Sequence, residues 1–249
     1  MPGASEYAVL LRPLERFAQV WPRMVARAQE RPLSIAVIGA GAAGIELACA
    51  VRQRLPASHL TLLTGGGELA SGYPARLQAR VLKVLHRRHI TVLHQACTGI
   101  SADEIALSGG ATLACDLPIV AIGTHAPAWL AGSGLALDES GYLQVNALQQ
   151  SSSHVNVFAA GDVASRADQP HPRSGVYAVR AGPALAANLA AALAGQPLQV
   201  HRPPRRTLNL LSCGTTYAIA SWGNLSLGGS WVWRWKDRID RRFVQTYRA

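Results

Sequence analysis

The sequence predicts an α/β fold centred on a parallel sheet, with a small antiparallel meander and a short α+β tail. Three observations carry this expectation. Short apolar runs at residues 34–38, 60–63, 90–93 and 117–122 read as buried strands. Stretches of helical period fall between the first three runs, at residues 43–54 and 74–88. The resulting β-α-β-α-β order with short connections favours parallel strands covered by helices. A chain of 249 residues with 49% hydrophobic content has room for one large domain or two small ones.

Taken in order, residues 14–30 form an amphipathic helix, with Leu14, Phe17, Val20, Trp21, Met24 and Val25 near one face and Pro32 beyond its end. Ser34 to Ile38 is the first strand. A glycine turn leads into the next helix, which Pro56 stops. Leu77, Val81, Val84 and Leu85 share one face of the following helix. Between Cys97 and Ala114, short alternating pieces broken by Gly99 and Gly109-Gly110 suggest the meander. Residues 141–145 and 155–158 read as strands, and residues 175–193 as a long alanine-rich helix. Residues 207–211 and 217–221 read as a hairpin, and residues 231–247 as an aromatic, basic helix.

The formal charge of +10 is concentrated late. Residues 201–249 hold nine Lys and Arg against two acids, whereas residues 1–200 are close to balanced. Cys49, Cys97, Cys115 and Cys213 form no close pair in sequence, so neither a zinc knuckle nor a local redox disulfide is written here. Reduced thiols in a cytoplasmic protein are the default. There is no leader-like N-terminus, and no run reaches the ~18 apolar residues of a membrane span. The expectation is a soluble or at most peripheral chain.

Gly39-Ala40-Gly41-Ala42-Ala43-Gly44 matches G-x-G-x-x-G directly after a strand and before a helix. Gly39 permits the tight turn, Gly41 lets a pyrophosphate approach the backbone, and Gly44 lets helix and strand pack closely. The helix start supplies free N–H groups and about half a positive charge. The unit is therefore read as a Rossmann-like dinucleotide site. A ribose-binding acid is expected at the end of the second strand, but Thr64 stands there, with Glu68 displaced into the loop. Arg76 or Arg80 could meet a 2′-phosphate instead, which leaves NAD against NADP open. Glu46, in the first helical turn, stands where a sheet-facing helix favours an apolar residue. Its plainer reading is an acid complementing the helix dipole.

A second string, Val155-Asn-Val-Phe-Ala-Ala-Gly161-Asp162, ends an apolar run in small residues and an aspartate. Such an ending lets an extended ligand pass close to the backbone while the carboxylate accepts a hydroxyl. Together with residues 37–46 and Val120-Ala-Ile-Gly123-Thr124, this string resembles the two-dinucleotide-binding-domain flavoproteins, or pyridine nucleotide-disulfide oxidoreductases. The likeness is nearest to the type II NADH dehydrogenase branch, in the form associated with selenide, water dikinase. Residues 175–180 and 231–243 look like that subfamily's late segments.

The resemblance implies an FAD-dependent NAD(P)H oxidoreductase that passes electrons to a quinone or another acceptor. Gly39, Ala40, Gly41, Ala42, Ala43 and Gly44 would hold the NAD(P)H pyrophosphate, with Thr64 and Gly123 at the same cofactor. Glu46 would lie near the nicotinamide as the catalytic residue. Gly161 and Asp162 would contact the FAD pyrophosphate and ribityl chain. Val176 and Tyr177 would lie by the isoalloxazine, their free N–H groups favouring the charge on reduced flavin.

The implied layout is a linker helix region at 1–32, an NAD(P)-binding Rossmann-like domain at 33–115, the C-terminal part of an FAD domain at 116–200, and a tail at 201–249. The family begins with an FAD-binding βαβ unit, whereas only 38 residues precede Gly39. The expectation is thus a fragment that binds NAD(P)H weakly and FAD poorly or not at all; stoichiometric yellow FAD on the chain would contradict it. His125, His154 and His171 read as structural loop residues.

The tail carries Trp231, Trp233, Trp235, Lys236, Arg238, Arg241, Arg242 and Phe243. The plainer reading docks the aromatics into the core. The functional one is an interfacial helix on anionic lipid, which would put the protein at the inner face of the cytoplasmic membrane. No nucleic-acid-binding module accompanies the tail, so no nucleic acid is expected. Two other readings stay open. One is sulfide:quinone chemistry, if Cys97 and Cys213 meet in space; the other is a non-catalytic nucleotide-binding module serving a fused or partner selenium enzyme.

Overall fold

The computed structural model describes residues 1–123 and 126–248. Thr124, His125 and Ala249 lie outside the described residues, among them the last residue of the Val120 string and one of the three loop histidines. The chain divides into two units: residues 1–123 with 208–249, and residues 124–207.

The first unit runs α1 (Ala4–Tyr7), β1 (Val9–Leu10), α2 (Leu14–Glu30), β2 (Ser34–Ile38), α3 (Ala42–Arg54), β3 (His59–Leu63), α4 (Ala75–Arg87) and β4 (Ile90–Leu93). The antiparallel meander follows as β5 (Cys97–Ile100), β6 (Glu104–Leu107) and β7 (Thr112–Ala114), and then β8 (Leu117–Val120). Strand order is β1-β8-β2-β3-β4, with every neighbouring pair parallel. This is the expected α/β sheet.

The alternation along β2 shows why its run is apolar throughout. Ile35 and Val37 point to one core with Ile45 and Ala48 of α3 and Leu77 and Val81 of α4. Ala36 and Ile38 point to another, with Ile100, Ile105 and Leu107 of the meander. Helices cover one face and the meander covers the other, so neither face of the strand is left to water.

α2 packs Phe17, Trp21, Met24 and Val25 onto the first core, with the Phe17 and Trp21 rings stacked at 5.6 Å. Leu14, expected on that face, is instead 63% exposed, because it opens the helix before the first turn reaches the sheet. The strand expected over 117–122 ends at Val120. The N–H of Ala121 still donates to Ile38 O at 2.8 Å before the backbone leaves the sheet.

The chain returns to this unit as β11 (Leu208–Ser212), β12 (Ala218–Trp222) and β13 (Leu225–Gly229), an antiparallel sheet on which α6 (Ser230–Thr246) buries Val232 against Ala218 and Ala220. The hairpin was expected; its third strand was not.

The second unit has little regular structure. Leu130, Leu143, Val145 and Ala159 form its small core. Its only ladder among the described residues pairs β9 (Leu143–Gln144) with β10 (Ala164–Ser165). The strand expected at 141–145 is therefore two residues long. The one expected at 155–158 is a turn followed by a single bridge from Phe158 to Gln150. Among the described residues that run pairs with the bent segment around Gln149, at φ 62°, and no ladder extends from it.

α5 (Gly175–Leu193) forms as expected. By length and composition it could cross a membrane, although no such run was expected from the sequence. Its buried Asn188 donates to Leu148 O and Gln199 O, both at 2.9 Å, and accepts from Gln199 N–H at 2.8 Å, tying the helix to its own unit.

These units do not divide at the expected boundaries. Residues before 33 belong with the sheet through α2. β8 pairs with β1 and β2, so the break expected at 116 falls after Gly123.

Candidate dinucleotide-binding site

The glycine turn lies at the carboxyl end of β2, where the parallel strands open and α3 begins. Its three glycines meet different surroundings. A Cβ on Gly44 would stand 1.8 Å from Gly39 O, and one on Gly39 would stand 2.6 Å from Ala121 O; Gly39 also has φ 116°. These two positions are closed by backbone. Gly41 has no atom within 4 Å of an added Cβ, so the outer face of the turn is open. The turn is further pinned by Gly39 N–H to Leu63 O at 2.9 Å and Ala70 N–H to Ala40 O at 3.0 Å.

Ile45 N–H bonds back to Gly41 O at 3.1 Å, and α3 has no side-chain cap. The N–H groups of Ala42, Ala43 and Gly44 have no acceptor among the described residues. Orphan donors at a helix start beside an open turn suit a phosphate.

Thr64 sits beside this turn at the end of β3. Its hydroxyl donates to Gly67 O at 2.7 Å, closing the exposed loop of Gly65 and Gly66. Glu68 accepts from Gln78 at 3.3 Å and so stays in the loop. Arg80 reaches across to β13. Its guanidinium donates to Ser226 O of β13 at 3.2 Å, while Arg76 remains exposed on α4. Gly123, at the far side of the turn, is exposed with open space around it.

Glu46 is half-buried, and its Oε1 accepts the Ser212 N–H at 2.6 Å. Burial pushes its carboxyl above the usual range; the Ser212 N–H and Lys236 pull it back, and Asp240 adds to the rise. The carboxylate thus ties α3 to the end of β11. This partner was invisible in sequence, because it lies 166 residues away.

In the second unit, Gly161 opens a short 3-10 turn (Gly161–Val163) at φ 73°, and a Cβ there would stand 3.3 Å from Ala178 Cβ of α5. Gly161 and Tyr177 share a cavity of about 230 Å³ with Asp138, His171 and Arg173; Asp162 and Val176 are not on its wall. Tyr177 N–H donates to Ser174 O at 3.0 Å, so the free N–H expected there is already used.

Sequence reasoning missed the cavity's charged residues. Arg166 is buried and grips Asp168 through Nε at 2.6 Å and Nη2 at 2.7 Å. Arg173 stacks 3.5 Å over the Tyr142 ring and reaches Asp138 at 3.4 Å. Burial alone would raise the Asp138 carboxyl, but the Ser165 hydroxyl, two backbone N–H groups and Arg173 together hold it below the usual range. The His171 ring lies 4.8 Å from that of Tyr177, tilted by 31°. These residues sit in loops without period, and only the Pro-rich run before α5 marks the place. His154 bonds to Ser153 at 2.9 Å.

Cys97 and Cys213 do not meet. Cys97 lies in β5 beside Gly99 O, whereas Cys213 is buried after β11 against Cys49 of α3. The aromatics of α6 also depart from the plainer expectation. Val232 is buried and Trp233 packs beside it, but Trp231, Trp235 and Phe243 remain exposed.

Parallel strands opening onto an uncapped helix start and a bare glycine define a Rossmann-like dinucleotide-binding protein. The model of the pyridine nucleotide-disulphide oxidoreductases matches residues 16–182, and the chain belongs to that family. It is 26% identical to Ferroptosis suppressor protein 1 of Xenopus tropicalis over 88% of this chain and 61% of the relative. It is also 26% identical to Demethylphylloquinone reductase NdbB of Synechocystis, over 100% of this chain and 62% of the relative. The sulfide:quinone oxidoreductase of Aquifex aeolicus shares the fold, with a TM-score of 0.79 at 16% identity, over 98% of this chain and 65% of that one. The chain therefore spans about three fifths of the length of the curated relatives it matches.

Proposed function

We propose that this chain supplies the NAD(P)H site, and part of the flavin site, of an FAD-dependent NAD(P)H:quinone oxidoreductase. The observation that carries the reading is the turn at residues 39–44, closed by backbone at Gly39 and Gly44 but open at Gly41. A merely structural turn gains nothing from an open glycine beside unpaired helix N–H groups. A diphosphate needs both.

In this reading the N–H groups of Ala42, Ala43 and Gly44 hold the pyrophosphate. The loop from Thr64 to Gly67 borders the adenosine ribose without the usual carboxylate, and Gly123 borders the nicotinamide side. Glu46 is held by Ser212 one turn into α3 and acts near the nicotinamide. Gly161, Asp162, Val176 and Tyr177 form the flavin-facing end of the second unit. The chemistry supplied at this site would be hydride transfer from nicotinamide to flavin and onward electron transfer to an acceptor. The chain's own groups bind, orient and exclude water. The Synechocystis demethylphylloquinone reductase and the Aquifex sulfide:quinone oxidoreductase favour a quinone as that acceptor.

The test is NAD(P)H oxidation by the full-length flavoprotein with a soluble quinone as acceptor. Quinone-dependent turnover is expected; NAD(P)H that binds but never bleaches the flavin would leave a nucleotide-binding module without this chemistry.

Contact with a membrane is the finer part of the proposal. Trp222, Leu225, Leu227, Trp231 and Trp235 form one apolar patch, and Arg234, Arg238, Arg241 and Arg242 stand on the adjoining helix. Exposed tryptophans beside arginines suit an anionic lipid surface. Partnership with selenide, water dikinase rests on the strings at 175–180 and 231–243 alone; co-purification of the two proteins would test it.

A further inference from the structure

The four cysteines divide into two kinds. Cys97 is half-buried in the meander and packs against the core that holds Cys115, whose thiol is pushed up to about 11, chiefly by burial. Cys49 and Cys213 are both buried in the core that joins α3 to the β11–β12 turn, and they interact with each other through their side chains.

The backbone holds these two in register from both sides. Ser212 N–H is fixed on Glu46, and a Cβ on Gly214 would lie 2.7 Å from Cys49 O. Thr215 N–H is fixed on the Gln53 side chain. The segment from Ser212 to Thr215 thus lies along α3 from Glu46 to Gln53, with Cys213 set opposite Cys49. Arg88, at the end of α4, donates to Gly214 O at 3.0 Å and to Thr215 Oγ1 at 2.8 Å. A guanidinium is thereby held beside the residue that follows Cys213.

We propose that Cys49 and Cys213 are a reversible dithiol–disulfide site, a second redox centre that requires no bound nucleotide. The two thiols come together from positions 164 residues apart, with the Arg88 guanidinium fixed beside the segment that carries Cys213. The two sulfurs are also unequal. The Cys213 side chain lowers the Cys49 thiol against its burial, with Arg88 adding to the effect, while Cys213, whose Sγ donates to Leu211 O at 3.7 Å, is raised by Cys49 and by burial. In this proposal Cys49 attacks and Cys213 resolves, and the C213S variant below tests that order.

The oxidant is a peroxide. The Cys49 thiolate attacks one peroxide oxygen; an S–O bond forms, the O–O bond breaks, and the leaving hydroxide takes a proton to become water. Cys213 sulfur then attacks the Cys49 sulfenic acid; the S–S bond forms, the S–O bond breaks, and a second water leaves with the Cys213 proton. Two thiols are oxidised to one disulfide while one hydrogen peroxide is reduced to two waters. The bridge would lock the residue after Ser212 onto α3, and Ser212 is the residue that holds Glu46. The oxidation state of the pair would then bear on the helix that begins at the glycine turn.

The experiment treats the whole chain with a few equivalents of hydrogen peroxide, unfolds it in N-ethylmaleimide, and maps the mass of the protein and its peptides. The expected result is loss of two of the four alkylations, a cross-linked peptide pair containing Cys49 and Cys213, and return of all four on treatment with dithiothreitol. The C97S/C115S double variant, which leaves the buried pair in place, should oxidise in the same way. In the C213S variant, Cys49 should instead accumulate a dimedone-trapped sulfenic acid. Four free thiols after peroxide would overturn the proposal, as would oxidation confined to Cys97 or a Cys49 that reacts identically with and without Cys213. Mapping the unmodified chain keeps the test decisive even if a variant folds poorly.

Discussion

Gly41 and Gly44 are two glycines of one motif that face opposite constraints. Replacing Gly44 by Ala drives a methyl into Gly39 O, and the helix must move off the strand; a loss of about 3 kcal/mol of stability is expected in urea melts. Replacing Gly41 by Ala meets open space, so stability should change by less than about 1 kcal/mol, while NAD(P)H affinity falls by about tenfold or more. A Gly41 variant that melts early and binds normally would reverse these assignments.

Glu46 gives a second residue-level test. Its pKa is raised in the folded state, so the folded protein favours the protonated form. The stability this confers is full below the unfolded carboxylate pKa and is lost as pH rises through the higher folded value. Glu46→Gln keeps an acceptor for Ser212 N–H and should flatten that loss between mildly acidic and neutral pH. Glu46→Ala strands the N–H and should cost about 1–3 kcal/mol at every pH.

Among the elements, the β2–turn–α3 unit was legible because period, glycine spacing and strand ending all agree over a dozen residues. β13 was not read, although Gly223-Asn224 between two apolar runs is a hairpin signal; glycines at 228 and 229 disguise the strand. The strands expected in the second unit failed for a different reason. Apolar alternation predicts a strand only when a neighbour is there to pair with it, and pairing partners are not visible in local sequence. The partner of Glu46 was hidden in the same way.

α2, β2 and β8 meet at Asp116, which accepts from Arg31 Nη1 at 3.2 Å and from Ser34 N–H at 2.8 Å. The Arg31 guanidinium, then the Ser34 N–H, hold its carboxyl below the usual range. This contribution is present above the unfolded aspartate pKa and is lost as pH falls through the depressed folded value. Asp116→Asn should therefore lower Tm at neutral pH and bring it level with the parent in acid. For α6, the double replacement of Trp231 and Trp235 by Ala should abolish co-sedimentation with anionic vesicles at low salt, while neutral vesicles should bind neither form. Equal sedimentation of both forms would refute the lipid reading.

For the whole molecule, the two units carry different parts of the account. The first holds the glycine turn, open at Gly41 beside unpaired helix N–H groups, and the thiol pair. The second holds a loop-built cavity around Gly161 and Tyr177 whose arginines and aspartates had no pattern to betray them. The nucleotide reading stands on the first unit alone and can be measured without any acceptor. Titration of the chain with NADH and NADPH, followed by quenching of tryptophan fluorescence, should show saturable one-to-one binding of at least one of them, weakened in the Gly41→Ala variant. Failure of both to bind, or binding untouched by that methyl group, would contradict the account.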